Sequence, residues 1–367
     1  MTDEKYMNLA LTLAKKGIGF VNPNPLVGAV IVKNDKIIGQ GWHEKYGGWH
    51  AERNALSNCR DSPNGACMYV TLEPCCHHGK TPPCTDAIIQ SGIKKVMIGC
   101  LDPNHLVSGK GVTILRNAGI EVVTGVLQDQ CIELNEVFFH YIQTKTPYVV
   151  MKYAMTIDGK IATVNGSSKW ITGISARENV HRSRNQYSSI MVGVGTVIAD
   201  NPSLTCRIDG GRNPIRIICD TNLSTPLDAT ITTTTKETRT IIATACVDRE
   251  MHKPYLALGC EILEIYKKDN HIDLNHLMQE LGKMDIDSIL LEGGAMLNFS
   301  ALQSRIVNKV QAYIAPKLFG GDCSKTPLGG AGIHDADHSF SLKNQSITCF
   351  DKDILIEGEV DYTCLQE

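Results

Sequence analysis

Apolar residues recur at helical spacing at the start of the chain, and short apolar runs follow at regular intervals. The residues on one helix face are Tyr6, Leu9, Ala10, Leu13 and Ala14. This pattern predicts an amphipathic helix with Thr2 available as its cap. Apolar runs over 27–32, 67–71 and 96–100 predict strands, and helix-like stretches begin near His50, Cys84 and Gly111. The alternation is typical of an α/β domain with a central sheet.

A second block with the same alternation follows. A helical stretch over Asp129 to Tyr141 leads into the polar segment 143–147, which ends in proline. A domain boundary is expected there, with one domain over 1–145 and another over 146–367. In the second domain Ser175 and Glu178 predict a capping box for a helix that runs to about Tyr187. Strands are predicted near Ile190, Ile215, Ile241 and Ile289.

Composition narrows the class of protein. The chain has 367 residues, 43% of them hydrophobic and 20% charged, which fits a two-domain globular protein. No apolar stretch reaches membrane-spanning length and the first residues lack a signal-peptide layout, so a cytoplasmic protein without a membrane partner is expected. A net charge of −3 without a basic block argues against nucleic acid and favours a small-molecule substrate. The 14 cysteines are expected to be reduced thiols or metal ligands.

His50 and Glu52 form a His-x-Glu element, and Pro74-Cys75 and Cys84 follow it. A His-x-Glu element followed by Pro-Cys and a further cysteine is the signature of zinc deaminases, although here the second cysteine lies farther away than the usual two-residue gap. His50, Cys75 and Cys84 are therefore predicted to hold Zn²⁺ and to leave a fourth position open for water. Two thiolates weaken the ion as a Lewis acid, so Glu52 is predicted to be the catalytic proton carrier.

Residues two apart on a regular helix point in different directions, so the metal site requires His50 to stand at a helix entrance. Pro82 and Pro83 likewise indicate that Cys84 opens a helix, where a thiolate is favoured. The alternative is a closed structural zinc site, with Cys76, His77 or His78 as a fourth ligand. That alternative leaves Glu52 without a purpose.

With these motifs in place, the chain resembles the bifunctional riboflavin-biosynthesis deaminase-reductases over both halves. The motifs of the first half are Asn22–Gly28, His50–Glu52, Leu72–Cys84, Asp102–Asn104 and Gly109–Gly111. The resemblance implies a cytidine-deaminase-like three-layer domain followed by a dihydrofolate-reductase-like α/β domain. It also implies that the deaminase substrate is bound by Asn24, His77, Lys80, Asp102 and Asn104.

In the second half the resemblance rests on Met151–Lys160, Trp170–Thr172, Gly193–Val197, Asp200–Leu204, Arg207 and Leu291–Ala295. It implies NADPH contacts from Ala154, Trp170, Thr196, Asp200 and Gly294. It implies substrate contacts from Ser168, Arg184, Leu204, Arg207 and Glu292. From the residues alone the signal is weaker, because Ile198 stands where the dinucleotide fingerprint needs its third glycine.

The reaction expected from this resemblance is deamination of a diaminopyrimidinone ribosyl phosphate, followed by NADPH-dependent reduction of the ribosyl chain to ribityl. The two arginines suit a phosphate dianion, which a guanidinium can bind through two parallel hydrogen bonds. A homo-oligomer is expected because closed symmetric assembly is common among soluble enzymes. The alternatives are a deaminase of another base or of tRNA with a non-catalytic second domain, and a zinc-stabilised structural protein.

Overall fold

The protein is described by a computed structural model that covers residues 2–77, 82–104 and 108–363. The chain divides into two compact units, Met1–Lys145 and Thr146–Glu367. The cysteines that the structure describes are all free thiols. None of the described helices combines the length and the apolar character needed to span a bilayer.

The first unit is built on a five-stranded sheet in the order β2-β1-β3-β4-β5. Its strands are β1 (Gly28–Lys33), β2 (Lys36–Trp42), β3 (Cys67–Leu72), β4 (Lys95–Cys100) and β5 (Glu121–Thr124). Its helices are α1 (Asp3–Ala14), α2 (Ala51–Ser57), α3 (Cys84–Gln90), α4 (Lys110–Asn117), α5 (Gln128–Leu134) and α6 (Glu136–Thr144). β1 runs antiparallel to β2 and β3, whereas β3, β4 and β5 are parallel.

Two glycines show that helices cover both faces of this sheet. A Cβ on Gly28 would lie 1.9 Å from the Ala10 carbonyl oxygen of α1, and one on Gly41 would lie 2.3 Å from the Ala55 nitrogen of α2. Gly41 is paired with Ala29, the residue after Gly28, so these two Cβ positions point to opposite faces. α1 and α2 therefore pack on opposite sides, which confirms the expected three-layer domain.

The second unit carries a nine-stranded sheet in the order β10-β9-β8-β7-β13-β6-β14-β16-β15. Its strands are β6 (Tyr148–Thr156), β7 (Ser189–Gly193), β8 (Ile215–Cys219), β9 (Thr240–Thr244), β10 (Glu261–Glu264), β13 (Ser288–Leu291), β14 (Val307–Ala315), β15 (Ser341–Phe350) and β16 (Asp353–Asp361), with β11 (Lys267–Lys268) and β12 (His271–Ile272) as a separate pair. Its helices are α7 (Ile174–Gln186), α8 (Val194–Asp200), α9 (Thr230–Thr233), α10 (Arg249–Ala257), α11 (Leu274–Lys283) and α12 (Ala295–Gln303).

The strands from β10 to β14 in this order are parallel, and β16 and β15 extend the sheet as an antiparallel hairpin. The four strands predicted from apolar runs are β7, β8, β9 and β13. They are almost fully buried, as expected for parallel strands covered by helices on both faces.

Two predictions of local structure are wrong. The helix expected over 129–141 is two helices, because Asn135 separates α5 from α6 and its side chain bonds the backbone of Leu26 at 2.8 and 3.0 Å. The capping box at Ser175 is also absent. Gly173 is the N-cap of α7 and donates its N–H to the Asp353 carboxylate at 2.6 Å, while Ser175 lies inside the helix and contacts Asp351.

Candidate active sites

Three residues that can bind a metal converge at one end of the first sheet. His50 precedes α2 with extended dihedrals, φ −73° and ψ 164°, which confirms the prediction that it stands at the helix entrance. Cys84 is the first residue of α3, as predicted, and Cys75 lies shortly after β3. Arg53 of α2 ties these elements together by donating to the carbonyls of Pro82 and Pro83 at 3.2 and 3.0 Å.

The spacing of the three donor atoms fits a tetrahedral zinc ion. His50 Nδ1 lies 3.4 Å from Cys75 Sγ and 3.5 Å from Cys84 Sγ. Ordinary Zn–N and Zn–S bonds at tetrahedral angles place such N and S atoms about 3.6 Å apart. Within the described parts of the chain, this trio is the group of His, Cys, Asp or Glu side chains close enough to share a metal ion, and neither Cys76 nor His77 belongs to it. His78, the other candidate for a fourth ligand, lies outside the described residues, and among those that are described the trio has no fourth ligand.

Glu52 is buried beside these residues, in the first turn of α2. Its side chain is 3% exposed and forms a hydrogen bond with the Cys84 thiol. Burial raises the pKa of Glu52. A carboxyl group whose pKa is raised toward neutrality can both accept and donate a proton, as acid-base catalysis requires.

The two cysteines also influence each other. The hydrogen bond from Cys84 lowers the pKa of Cys75, and the same bond, together with burial, raises the pKa of Cys84. The hydrogen bond with Cys75 raises the pKa of His50. The three groups thus lie within hydrogen-bond distance of one another, and a cation bound at their centre would take the place of the protons between them.

A cavity of about 320 Å³ opens onto Glu52 and the metal-binding residues. It is large enough for a single heterocycle and its substituent. Its lining includes Asn24, His77, Asp102 and Asn104, four of the residues expected to bind the deaminase substrate. Lys80, the fifth, lies outside the described residues. Burial raises the pKa of Asp102 to about 6, and Asp102 Oδ1 accepts the Asn104 N–H at 2.8 Å.

Sequence reasoning missed His43, which is 2% exposed and lines the same cavity. His43 Nδ1 lies 2.9 Å from the Trp49 carbonyl oxygen, which can only accept, so this nitrogen carries the proton. Nε2 then accepts from the Asn24 amide nitrogen at 3.1 Å. Burial lowers the pKa of His43, which keeps the ring neutral and suits it to hold Asn24 in place.

Other cavity residues were also missed, namely Tyr46, Glu73, Phe138, Tyr141 and Ile142. One signal could have found some of them. β2, β3 and β4 run in the same direction, and His43, Glu73 and Asp102 each follow the end of one of these strands within two residues. Ligand-binding residues of α/β sheets gather at the carboxyl ends of strands. The aromatic residues of α6 give no comparable signal.

In the second unit, Thr196 and Gly294 come together as expected for residues that bind one cofactor. Gly294 is the N-cap of α12, and a Cβ on it would lie 3.3 Å from Thr196 Oγ1. β7 and β13 are parallel neighbours, and each is followed by a helix with a glycine at its N-cap, Gly193 directly at the end of β7 and Gly294 three residues after β13. Such helix starts favour a phosphate group. Asp200 lies one turn beyond Thr196 at the end of α8.

The other residues expected to contact the cofactor are more dispersed. Ala154 lies in β6 and packs in a cluster with Tyr313 and Leu355. Trp170 is 59% exposed, in the segment between β6 and α7, and the Arg177 guanidinium lies 4.4 Å from its ring centroid. A flat exposed ring of this kind offers a stacking surface.

Glu292 joins two cations at the end of β13. Arg184 donates to it through two nitrogens at 2.7 and 3.0 Å, and Lys152 Nζ lies 3.4 Å away. Burial alone would raise the pKa of Glu292, but Arg184 and Lys152 lower it to about 2. The third Arg184 nitrogen donates to the Thr205 carbonyl at 3.1 Å, so the guanidinium expected to bind phosphate is occupied by protein partners. Lys152 was not predicted.

The other residues expected at the reductase substrate differ in exposure. Arg207 is exposed and donates to Ser203 at 3.2 Å. Leu204 is 4% exposed and packs with Ile190 and Val197 in a core cluster. Ser168 is half-buried in the segment between β6 and α7. Of the two arginines, Arg207 is therefore the accessible one.

Two family models match the chain, one in each half. The cytidine and deoxycytidylate deaminase zinc-binding region matches residues 1–100, and the RibD C-terminal domain matches residues 147–356. The first match lies on the unit that contains the three potential metal ligands. Together with the fold, these matches define the class of protein as a zinc-binding deaminase joined to a reductase.

Similar proteins and solved structures cover nearly the whole chain. The riboflavin biosynthesis protein RibD of Actinobacillus pleuropneumoniae is 57% identical over 97% of this chain and 95% of its own length, and that of Aquifex aeolicus is 44% identical over 96% and 97%. A deaminase and reductase structure from Thermotoga maritima is 41% identical, with a TM-score of 0.86 and coverage of 98% and 99%. The Acinetobacter baumannii RibD structure, form 1, is 37% identical, with a TM-score of 0.88 and the same coverage. The chain belongs to the RibD family of bifunctional riboflavin-biosynthesis enzymes.

Proposed function

We propose that the first unit hydrolyses the exocyclic amine of a diaminopyrimidinone ribosyl phosphate and that the second unit reduces the ribosyl chain to ribityl with NADPH. The observation that carries this proposal is the convergence of His50, Cys75 and Cys84 beside the buried Glu52. The similar Thermotoga maritima structure carries the name of a diaminohydroxyphosphoribosylaminopyrimidine deaminase and 5-amino-6-(5-phosphoribosylamino)uracil reductase. That name supports the substrate assigned to each half.

In the first unit, His50, Cys75 and Cys84 would hold zinc, which supplies the Lewis acidity that activates a water molecule. Glu52 would take one proton from that water and give it to the ring nitrogen, and would then take the second proton, from the added hydroxyl group, and give it to the amine, which leaves as ammonia. Asn24, Asp102 and Asn104 bind the pyrimidine, together with His77 and Lys80. The burial of Glu52 supports this role, because it leaves the carboxyl group able to hold a proton between the two transfers.

In the second unit, NADPH would lie against Ala154, Trp170, Thr196, Asp200 and Gly294, where it supplies the electrons for the reduction. Ser168, Leu204, Arg207 and Glu292 contact the substrate. We assign the phosphate to Arg207, because Arg184 is bonded to Glu292 and to the Thr205 carbonyl. Arg184 then holds the Glu292 carboxylate in place.

We further propose that the enzyme works in the cytoplasm as a homo-oligomer, with neither nucleic acid nor membrane as a partner. The small net charge of −3 supports the exclusion of nucleic acid. Closed symmetric assembly, common among soluble enzymes, supports the oligomer. Size-exclusion chromatography with light scattering measures the molar mass of the protein in solution. The mass of a single chain at the concentration used in the activity assays would reject the homo-oligomer.

The proposed reactions are tested with purified, zinc-loaded protein and the diaminopyrimidinone ribosyl phosphate, with and without NADPH. Ammonia release before NADPH addition, and NADPH oxidation after it, are the expected results. Glu52→Gln should lower ammonia release by about 10²- to 10⁴-fold, with the exposed Glu4→Gln as its control. Arg207→Ala should raise only the KM of the reduction, with the exposed Arg182→Ala as its control.

Three outcomes would reject parts of the proposal. Full ammonia release by Glu52→Gln would remove Glu52 from the chemistry. Deamination of single-stranded RNA in place of the pyrimidine would favour the tRNA alternative. If the protein unfolds when zinc is removed, and the zinc-loaded protein shows no turnover, a structural zinc site would be favoured.

A further inference from the structure

Glu73 is a buried carboxylate between β3 and Cys75 that takes no part in the reaction described above. Its side chain is 3% exposed. Its Oε2 accepts the N–H groups of Asp102 at 3.3 Å and Gly109 at 2.9 Å, and its Oε1 accepts the N–H of Val112 at 3.1 Å. The carboxylate therefore joins two parts of the chain, the segment that begins at Asp102 and the start of α4.

These contacts account for the motif Gly109–Gly111, which the proposed chemistry leaves unexplained, and they hold the backbone of the substrate-facing motif Asp102–Asn104. Gly109 caps α4 with a φ of +75°, a conformation that glycine adopts readily. A Cβ on Gly111 would lie 2.3 Å from the Pro74 carbonyl oxygen and 3.1 Å from Glu73 Oε1. Both glycines thus let the start of α4 close around Glu73.

The same carboxylate connects the turn that carries a metal ligand with the segment that faces the substrate. Cys75 follows Glu73 by two residues, and Glu73 donates its own N–H to the Cys100 carbonyl at 3.0 Å, next to that segment. Asp102, held through its N–H, in turn accepts the Asn104 N–H at 2.8 Å. Asp102 and Asn104 both line the cavity.

We propose that Glu73 is a positioning residue for deamination, which sets the Asp102–Asn104 segment at the correct place relative to the Cys75 turn. It acts through that segment, and the inference rests on the proposed function because it takes Asp102 and Asn104 as substrate contacts. A merely structural role would be to cap α4. The two roles differ in what they predict for substrate binding.

The test is steady-state deamination by the full, zinc-loaded chain. Glu73→Gln replaces one acceptor oxygen by an NH₂ group, which cannot accept, and removes the negative charge, so at least one of the three backbone N–H groups loses its partner and the hold on Asp102 weakens. The KM for the pyrimidine should rise by about tenfold or more, with a much smaller change in kcat. Zinc content, and NADPH oxidation measured with the deaminated pyrimidine as substrate, should stay at the wild-type values, because neither the three ligands nor the second unit is altered.

Two further variants separate the roles. Ile114→Gly weakens α4 at an exposed position without touching Glu73, so it should leave KM unchanged. Asp102→Ala should raise KM, and adding Glu73→Gln to it should raise KM little further, because the second change acts through the first. If Glu73→Gln fails to fold, Glu73→Asp, which keeps the charge but shortens the reach, should show the same rise in KM.

The outcomes distinguish this inference from the proposed function. Absence of ammonia from the wild-type protein would reject the proposed function itself. An active wild type, with KM raised by Asp102→Ala but not by Glu73→Gln or Glu73→Asp, would overturn only the role of Glu73. Loss of zinc from Glu73→Gln, or an equal rise in KM from Ile114→Gly, would show that the residue supports the ligand turn or the helix instead.

Discussion

Glu292 offers a direct test of the energetics of the second unit. Its carboxylate is bound by Arg184 at 2.7 and 3.0 Å and by Lys152 at 3.4 Å, and the three side chains are only 12–15% exposed. Glu292→Gln keeps the shape but removes the negative charge. Two buried cations then face a neutral amide, so we expect a marked loss of stability.

The pKa of Glu292 gives the size of this loss. It falls from 4.5 to about 2 in the native state, a difference that corresponds to about 3 kcal/mol of unfolding free energy. Breaking a buried pair by removing one partner typically costs about 3–5 kcal/mol, so the two estimates agree. Because the native pKa lies below the unfolded one, this stability is present above pH 4.5 and is lost as the pH falls toward 2. The difference in unfolding free energy between the wild type and Glu292→Gln should therefore become smaller as the pH falls below 4.5.

Glu261 provides a matched control in the same unit. Arg239 donates to it through two nitrogens at 2.7 and 2.8 Å, but these side chains are 40% and 46% exposed. Solvent screening reduces the contribution of such a pair to about 1 kcal/mol or less. Glu261→Gln should therefore change stability far less than Glu292→Gln, although the hydrogen-bond geometry is nearly the same.

The assay is hydrogen exchange of the full chain in increasing urea, read on peptides from β13 and from β3. The unfolding free energy reported by β13 should fall by about 3 kcal/mol in Glu292→Gln, whereas β3 in the first unit should keep its wild-type value. An equal loss in Glu292→Gln and Glu261→Gln would refute the argument from burial. A loss below about 1 kcal/mol in Glu292→Gln would do the same.

Three shorter predictions concern the first unit. Chelation of zinc should abolish ammonia release but spare NADPH oxidation when the deaminated pyrimidine is supplied directly, and loss of both activities in these two assays would contradict the separation of the sites. Burial raises the pKa of Asp102 from 3.8 to about 6, so ionising the native carboxyl group costs folding free energy, and this cost is fully present above pH 6. Asp102→Asn should therefore unfold at a higher temperature than the wild type at pH 8, and it should bind the pyrimidine less well. Gly28→Ala places a methyl group 1.9 Å from the Ala10 carbonyl and should destabilise the unit by about 1–3 kcal/mol or more in thermal unfolding, so an unchanged melting temperature would refute the close packing of α1.

The strands and the metal trio could be predicted because their signals are local. Apolar runs mark β1, β3 and β4 directly, since buried strands need apolar side chains. The trio could be found from residue type and spacing, and the extended dihedrals of His50 show why the spacing works, because α2 begins only after this residue. A periodic pattern and a ligand set can each be seen without knowing the tertiary contacts.

The wrong predictions share the opposite property. Asn135 interrupts the helix at 128–144 because it bonds Leu26, 109 positions earlier in the chain. The cap of α7 is supplied by Asp353, 180 positions after Gly173, whereas Ser175 only has the local spacing of a capping box. In both cases a distant partner determines a local boundary, and no window of sequence contains that partner.

The same reasoning applies to the polar residues of the sites. Arg184 and Arg207 have the same chemistry, and the sequence assigns both to the substrate by resemblance. The structure separates them, because Glu292 comes from β13 and occupies the guanidinium of Arg184. Lys152 enters this group from β6, the strand paired with β13, so its role depends on strand order. Residue type therefore identifies which side chains can do the chemistry, whereas the sheet topology decides which of them are left to meet a substrate.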